Sequence, residues 1–180
     1  MPLSNCVPRK HSHHRQIECR GYEREDGLWD IEGHLTDTKP YSFENRERGL
    51  VEAGTPVHDM WIRLTIDNKM CIKSAEAATD YSPYQICGRV TPDFGQLVGL
   101  SIGPGWSRKV AAKMGGVLGC THLVELLRPL ATTAFQTISR ERSKPASEYE
   151  KQPRYLNGCH ALAVDGPIVE REWPQFYKGR

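Results

Sequence analysis

A cysteine and a histidine lie together where a glycine-rich stretch meets an amphipathic helix. Residues 119–123 read Gly-Cys-Thr-His-Leu, and apolar residues then recur at the spacing of one buried helical face as far as Ile138. Cys120 and His122 therefore lie at a predicted helix N-terminus, where unpaired backbone N–H groups and the helix dipole favour negative charge. Such a position favours a thiolate, so Cys120 is a candidate nucleophile or metal ligand. The alternative is that the thiol is half-buried and that His122 only caps the helix.

His58 and Asp59 open a predicted strand, residues 57–66, that follows a Gly-Thr-Pro turn. Its apolar residues alternate from Met60 onwards, which is the period of a strand with one buried face. His58 is in phase with the buried row, and Asp59 points the other way unless a bulge re-aims it. An imidazole beside a carboxylate can transfer protons or bind a metal, so both residues are candidates for a functional site.

Two further candidates lie on other predicted elements. Residues 28–36 alternate cleanly, with Trp29 and Ile31 on the apolar face and His34 on the polar face. His34 is therefore either a solvated strand residue or a site residue that faces a cleft between the sheet and a loop. Cys87 follows a turn that enters a predicted helical segment, and its thiol is a candidate metal ligand.

The elements that must position these residues form an α+β domain. Three turn signals separate about four predicted strands, namely Asp26-Gly27, Gly54-Thr55-Pro56 and Asp67-Asn68-Lys69. The first half of the chain therefore predicts an antiparallel β-meander, and we expect C-terminal helices at residues 93–98, 106–114 and 121–138 to pack on it. The long loop of residues 37–52, with its aromatic side chains, is expected to lie over a site.

The chain is predicted to form one domain with irregular parts at both ends. Residues 1–14 are expected to be a flexible N-terminal arm, and residues 15–138 the single α+β domain, with a first strand at 15–24. A charged connection follows at 139–155. Residues 156–180 contain a second Cys–His pair and large aromatic residues, and are expected to pack on the domain. The histidines of the arm, expected at the surface, are His11, His13 and His14.

Charge and composition exclude several classes of protein. The net charge is +2 at pH 7 and basic residues alternate with acidic ones, so no nucleic-acid partner is predicted. No apolar run reaches the length of a membrane span. The six cysteines include no Cys-x-x-Cys pair, which indicates free thiols in a reducing cytoplasm. The expected partner is a small-molecule substrate, and the aromatic tail makes a homodimer conceivable.

Three stretches resemble the iron–sulfur cluster scaffold proteins of the NifU/IscU/SufU type. In residues 54–60, His58 stands where such a scaffold has its first cysteine ligand, with an aspartate behind it. Residues 64–79 resemble the hairpin that leads to the second ligand loop, although no cysteine follows directly. Residues 119–123 resemble the last ligand loop, where cysteine and histidine are neighbours.

This resemblance implies a NifU/IscU-like fold with one cluster of metal ligands. A mixed set of nitrogen, sulfur and oxygen donors suits zinc or iron. The ligand set, in which Cys87 stands late for the second cysteine, consists of His58, Asp59, Cys87, Cys120 and His122.

Over its whole length the chain resembles a bacterial family known only as a domain of unknown function. The segments that carry this second resemblance are residues 29–35, 56–61, 119–123 and 159–162. Members of that family are associated with the breakdown of aromatic or steroid-like compounds, and the resemblance implies such a role here.

Three functions remain open at this point. The first is a small-molecule catabolic enzyme, a lyase or a hydrolase, that uses acid–base chemistry or a metal. Its candidate catalytic residues are His58, Asp59, His122 and His34. The second is an iron–sulfur or zinc carrier, which requires Cys87 and Cys120 to bind metal. The third is an accessory structural protein without catalysis, in which these side chains only pack and cap.

Overall fold

An antiparallel sheet of four strands is the main element of the first of two units. The computed structural model describes residues 3–139 and 148–179, and the chain divides into the units Met1–Arg140 and Glu141–Arg180. The strands of the described residues are β1 His14–Glu23, β2 Trp29–Thr38, β3 Phe43–Asn45, β4 Gly49–Val51, β5 Pro56–Ile66 and β6 Ile72–Tyr81. The sheet order is β1-β2-β5-β6, and β3 and β4 form a separate hairpin. The predicted α+β class with a four-stranded antiparallel sheet is confirmed.

Helices follow the sheet along the chain. In the first unit these are α1 Trp106–Met114 and α2 Thr121–Thr137, close to the bounds that the periodicity predicts. A 3-10 helix covers Gln85–Leu97, where the sequence predicts a helical segment at Cys87 and a short helix at residues 93–98. This segment contains two glycines and Pro92, which disfavour an α-helix. None of the helices in the described part of the chain is both long and apolar enough to cross a membrane.

The core of the first unit lies between one face of the sheet and the helices. Buried and half-buried residues alternate along the whole of β2, and its apolar row joins the apolar residues of β5 and α2 in one cluster. The helix α2 passes closely over β2 at Gly33, where an added Cβ would lie 3.0 Å from Cγ of Leu126. The absence of a side chain at residue 33 therefore permits this close approach.

The segment predicted as a long loop, residues 37–52, contains more regular structure than expected. Its first two residues complete β2, and β3 and β4 pair as a short hairpin. The side-chain oxygen of Asn45 accepts hydrogen bonds from the backbone N–H groups of Glu47 and Arg48, which closes the turn. Strands of three residues are too short to show an alternating pattern, and the sequence therefore predicts only a loop.

The second unit has a small apolar cluster of its own. It contains α3 Pro167–Glu172 between two 3-10 turns, His160–Leu162 and Pro174–Phe176. Leu156, Val164 and Val169 are its buried residues. Part of the predicted connection at 139–155 falls on residues 140–147, which lie outside the described residues. The expected packing of residues 156–180 on the domain stays a prediction.

Candidate functional site

Three polar side chains form a row across neighbouring strands of the sheet. Asp37, near the end of β2, pairs with Arg15 of β1 and with His58 of β5. Asp37 and His58 have the strand phase of the core-facing residues, because Asp37 follows Leu35 by two positions and His58 precedes Met60 by two. The register of the sheet, and not proximity in the sequence, therefore brings these side chains together.

Asp37 is a buried carboxylate that contacts three side chains. It is 1% exposed. The Arg15 guanidinium donates to both of its oxygens at 2.8 Å, which is the bidentate geometry that Arg provides. Nε2 of His13 lies 2.9 Å from Oδ1, and Nδ1 of His58 lies 3.0 Å from Oδ2. Burial by itself raises the pKa of Asp37, but the hydrogen bonds from Arg15 and His13 outweigh it and lower the pKa to about 2.

The ionised carboxylate determines which nitrogen of His58 carries the proton. Because a carboxylate only accepts hydrogen bonds, Nδ1 of His58 donates to Asp37, and Nε2 has a free lone pair when the ring is neutral. Burial and the neighbouring His122 lower the pKa of His58, although Asp37 acts in the opposite direction. The side chain is 13% exposed, so solvent still reaches the ring.

The side chain of His122, in the first turn of α2, lies close to Asp37 and His58. The helix begins after Cys120, whose backbone is extended. Nε2 of His122 lies 3.8 Å from Oδ2 of Asp37, and its ring centroid lies 3.7 Å from that of His58, with 30° between the ring planes. Burial and the positive charge of Arg15 lower the pKa of His122. Both imidazoles are therefore neutral at pH 7, and either can accept a proton.

The same three side chains offer a set of metal ligands. Asp37, His58 and His122 each provide a ligand atom, and these atoms all lie within 4.8 Å of one another. Two imidazoles and a carboxylate form a set that zinc and iron accept. However, both oxygens of Asp37 already accept hydrogen bonds from Arg15, which is a permanent cation. A metal on Oδ2 must therefore displace or share that donor.

The structure does not bring Asp59 and His34 together with His58 and His122. The register shift between Asp59 and the next residue does not turn Asp59 toward the helices. Asp59 instead hydrogen-bonds to His34, with 2.6 Å between Oδ1 and Nε2. The His34 ring also stacks on Trp61, with 3.5 Å between the ring centroids. Successive strand residues point to opposite faces, so this second pair lies on the polar face of the sheet.

The two cysteines predicted as metal ligands also lie outside the group formed by Asp37, His58 and His122. Sγ of Cys120 lies 4.0 Å from Sδ of Met60, and Cys120 packs against the main apolar cluster. Its side chain makes no capping hydrogen bond to α2. Cys87 lies in the 3-10 helix that follows β6. Neither cysteine belongs to the group of metal-capable side chains found in the described part of the chain.

Sequence reasoning missed three members of the cluster, Asp37, Arg15 and His13. One signal for Asp37 existed, because the alternation of β2 continues for two more residues and places an aspartate in the apolar row after Leu35. No comparable signal marked Arg15 on a mostly exposed strand. His13 is exposed, as predicted for the arm, but its ring also contacts the buried carboxylate of Asp37.

Comparison with known proteins gives one result. No curated protein and no solved structure matches the chain. A family described as a protein of unknown function, DUF2889, matches residues 13–136. The matched span includes His13, Arg15, Asp37, His58 and His122. The expected membership of a family of unknown function is confirmed, whereas the likeness to iron–sulfur scaffolds stays a prediction. The chain therefore belongs to the DUF2889 family, whose function is unknown.

Proposed function

We propose that this protein is a small-molecule catabolic enzyme, a lyase or a hydrolase, that transfers protons through His58. The observation that supports this most is the hydrogen bond of 3.0 Å between Nδ1 of His58 and the buried carboxylate of Asp37. A carboxylate in this position orients the ring and stabilises the imidazolium that forms when the ring accepts a proton. The pair therefore has the arrangement of a general base with its orienting group.

In the proposed reaction, Nε2 of His58 removes a proton from the substrate or from a water molecule. Asp37 stabilises the charge that develops on the ring, and the ring then returns the proton to the leaving group. His122 is a second proton carrier, because its ring centroid lies 3.7 Å from that of His58. Two cationic rings at this distance repel each other, so the pair holds one proton at a time.

We propose an aromatic or steroid-like substrate because of the resemblance described above and because aromatic residues lie on the neighbouring hairpin. Nη1 of Arg48 donates a hydrogen bond of 2.9 Å to the carbonyl oxygen of Pro56, which ties the β3–β4 hairpin to the start of β5. His58 lies two residues further along β5. Tyr41 is exposed just before this hairpin, and Phe43 begins it. Such rings offer contact surface to an apolar substrate.

A metal-assisted form of this activity is the second candidate, and the closeness of the three ligand atoms favours it. Asp37, His58 and His122 would hold zinc or iron, and the ion would supply an activated water or a polarised carbonyl group. In this form His13 would remain hydrogen-bonded to Oδ1 of Asp37 and would orient the carboxylate from outside.

Turnover of a compound panel tests the proposal. Untagged protein of known metal content is incubated with aromatic and steroid-like esters, thioesters and hydroxy acids, and the products are followed by mass spectrometry. We expect His58→Gln to lower the rate at least about 100-fold. The matched control is His34→Gln, which removes a histidine with its own carboxylate partner on the other face of the sheet. This variant is expected to keep the activity.

Equal turnover by His58→Gln and the wild type would refute the proposed role of His58. A chelator separates the two forms of the mechanism. Activity that survives the chelator supports proton transfer by the histidines alone. Activity that the chelator removes, and that zinc or iron restores, supports the metal-assisted form.

A further inference from the structure

The strand β1 lies at the edge of the sheet and exposes a long, regular row of backbone groups. It pairs with β2 over its full length, His14–Glu23, without a register shift, and most of its residues are exposed. Among the described residues, no strand and no loop backbone hydrogen-bonds to its outer side. An edge of this kind is a template for another strand.

Two features that often protect an edge strand, a proline and a β-bulge, are missing from β1. Its charged residues are two arginines and two glutamates, so the charges of the strand balance. The opposite edge of the sheet differs, because the start of β6 is covered. There the backbone of Ile72 exchanges hydrogen bonds with Gly99 and Leu100. β1 is therefore the more open of the two edges.

We infer that β1 pairs antiparallel with β1 of a second copy of the chain, around a two-fold axis at Cys19. In this register Glu18 lies opposite Arg20 of the second copy. Symmetry repeats this pair, so two cross-strand pairs of opposite charge form beside the Glu18–Arg20 ion pair that each strand already contains. Glu23 lies opposite Arg15, whose guanidinium is held by Asp37 and Glu125 of its own copy. Opposite charges that face each other across two strands stabilise the pairing.

Neighbouring registers are less favourable. A shift of two residues places Glu18 opposite Glu18, or Arg20 opposite Arg20, and like charges that face each other destabilise a strand pair. In a register shifted by one residue, core-facing positions of one copy lie opposite outward-facing positions of the other. The helices of the two copies would then lie on opposite faces of the joined sheet. The charge pattern of β1 therefore favours this register over the neighbouring ones.

The apolar residue of the edge also fits this register. Ile17 is 43% exposed and lies opposite Gly21 of the second copy. Gly21 has no room for a side chain, because an added Cβ would lie 1.9 Å from Oγ1 of Thr137 in α2. Thr137 therefore occupies the space above Gly21, and the isoleucine of the second copy would lie beside this threonine. The two sheets join into one.

Analytical ultracentrifugation of charge variants tests this inference independently of any catalytic activity. We expect the wild type to form a dimer of twice the chain mass of 20.4 kDa. Glu18→Arg alone, or Arg20→Glu alone, places like charges opposite each other twice and should weaken dimerisation at least about tenfold. The double variant Glu18→Arg/Arg20→Glu restores opposite charges and is expected to recover the dimer.

Matched controls come from another acid–base pair on the same sheet. Arg63 of β5 and Glu76 of β6 form an ion pair away from β1, so Arg63→Glu and Glu76→Arg should leave the dimer unchanged. Circular dichroism checks that each variant is folded. A wild type that is monomeric throughout a micromolar series would overturn the inference. So would a dimer that tolerates both single reversals, or a double variant that fails to recover.

Discussion

Nδ1 of His58 and Oδ2 of Asp37 lie 3.0 Å apart although the two residues are separated by 21 positions in the chain. Asp37 is itself held by Arg15 and His13. The imidazole is therefore oriented by a carboxylate whose position depends on a third element, at the start of β1. A substitution at any of these residues is expected to change the orientation of the His58 ring.

Asp37→Asn is expected to lower the free energy of unfolding at pH 7 by about 2 kcal/mol, because a carboxyl whose pKa is lowered to about 2 stabilises the folded state by roughly that amount. Urea denaturation measures the change. The matched control is Asp59→Asn, which removes a carboxylate that is 20% exposed. We expect a loss of about 1 kcal/mol or less there. Equal losses in the two variants would contradict the central role of Asp37.

The advantage of the wild type over Asp37→Asn should shrink in acid. A carboxyl with a lowered folded-state pKa contributes its full stability above the unfolded value, near 4, and loses it as the pH falls toward about 2. The two proteins are therefore expected to converge below about pH 4. A difference that stays constant between pH 7 and pH 3 would show that the ionised carboxylate is not its source.

The stability of the metal-free protein is expected to fall as the pH drops from about 7.5 to 5. The folded protein lowers the pKa values of His58 and His122, so the unfolded chain takes up these protons first. Their contribution is complete above about pH 6.5 and is lost as the pH falls toward the lowered values. The free energy of unfolding, measured by urea denaturation at several pH values in this range, should depend less on pH in the double variant His58→Gln/His122→Gln. An equal slope in the double variant would contradict the prediction.

Arg15→Gln is expected to raise the pKa values of both histidines, because the positive charge of Arg15 is one of the causes that lower them. Nuclear magnetic resonance titration of the imidazole C–H groups measures the change. Arg20→Gln is the matched control, since Arg20 lies on the same strand and pairs with Glu18 at the surface. Unchanged histidine titrations in Arg15→Gln would show that its charge does not reach the rings.

Gly33→Ala tests the close contact between β2 and α2. The added methyl group would meet Leu126 at 3.0 Å and Leu130 at 3.1 Å, which forces the helix outward and should cost about 1–3 kcal/mol of stability. At Gly95 no described atom outside the adjacent residues and the local helix backbone lies within 4 Å of an added Cβ, so Gly95→Ala should stay within about 0.5 kcal/mol of the wild type. Thermal or urea unfolding of the two variants compares them directly.

Much of the fold was predictable because its signals are local. Alternation along β2 and β5 predicted which residues face the core, and the structure agrees at Ile31 and Met60, which are buried. The period of the long helix predicted α2 to within one residue of its end. The hairpin of β3 and β4 was not predictable in this way, because three residues do not establish a period.

The sequence by itself determined that His58 points toward the helices and that His122 lies in the first turn of α2. Both orientations follow from the two-residue and 3.6-residue periods, which depend only on neighbouring residues. Only the tertiary structure decided that the carboxylate beside His58 is Asp37 and not the adjacent Asp59. Strand register depends on the packing of the whole unit, and it joins residues that no local pattern connects.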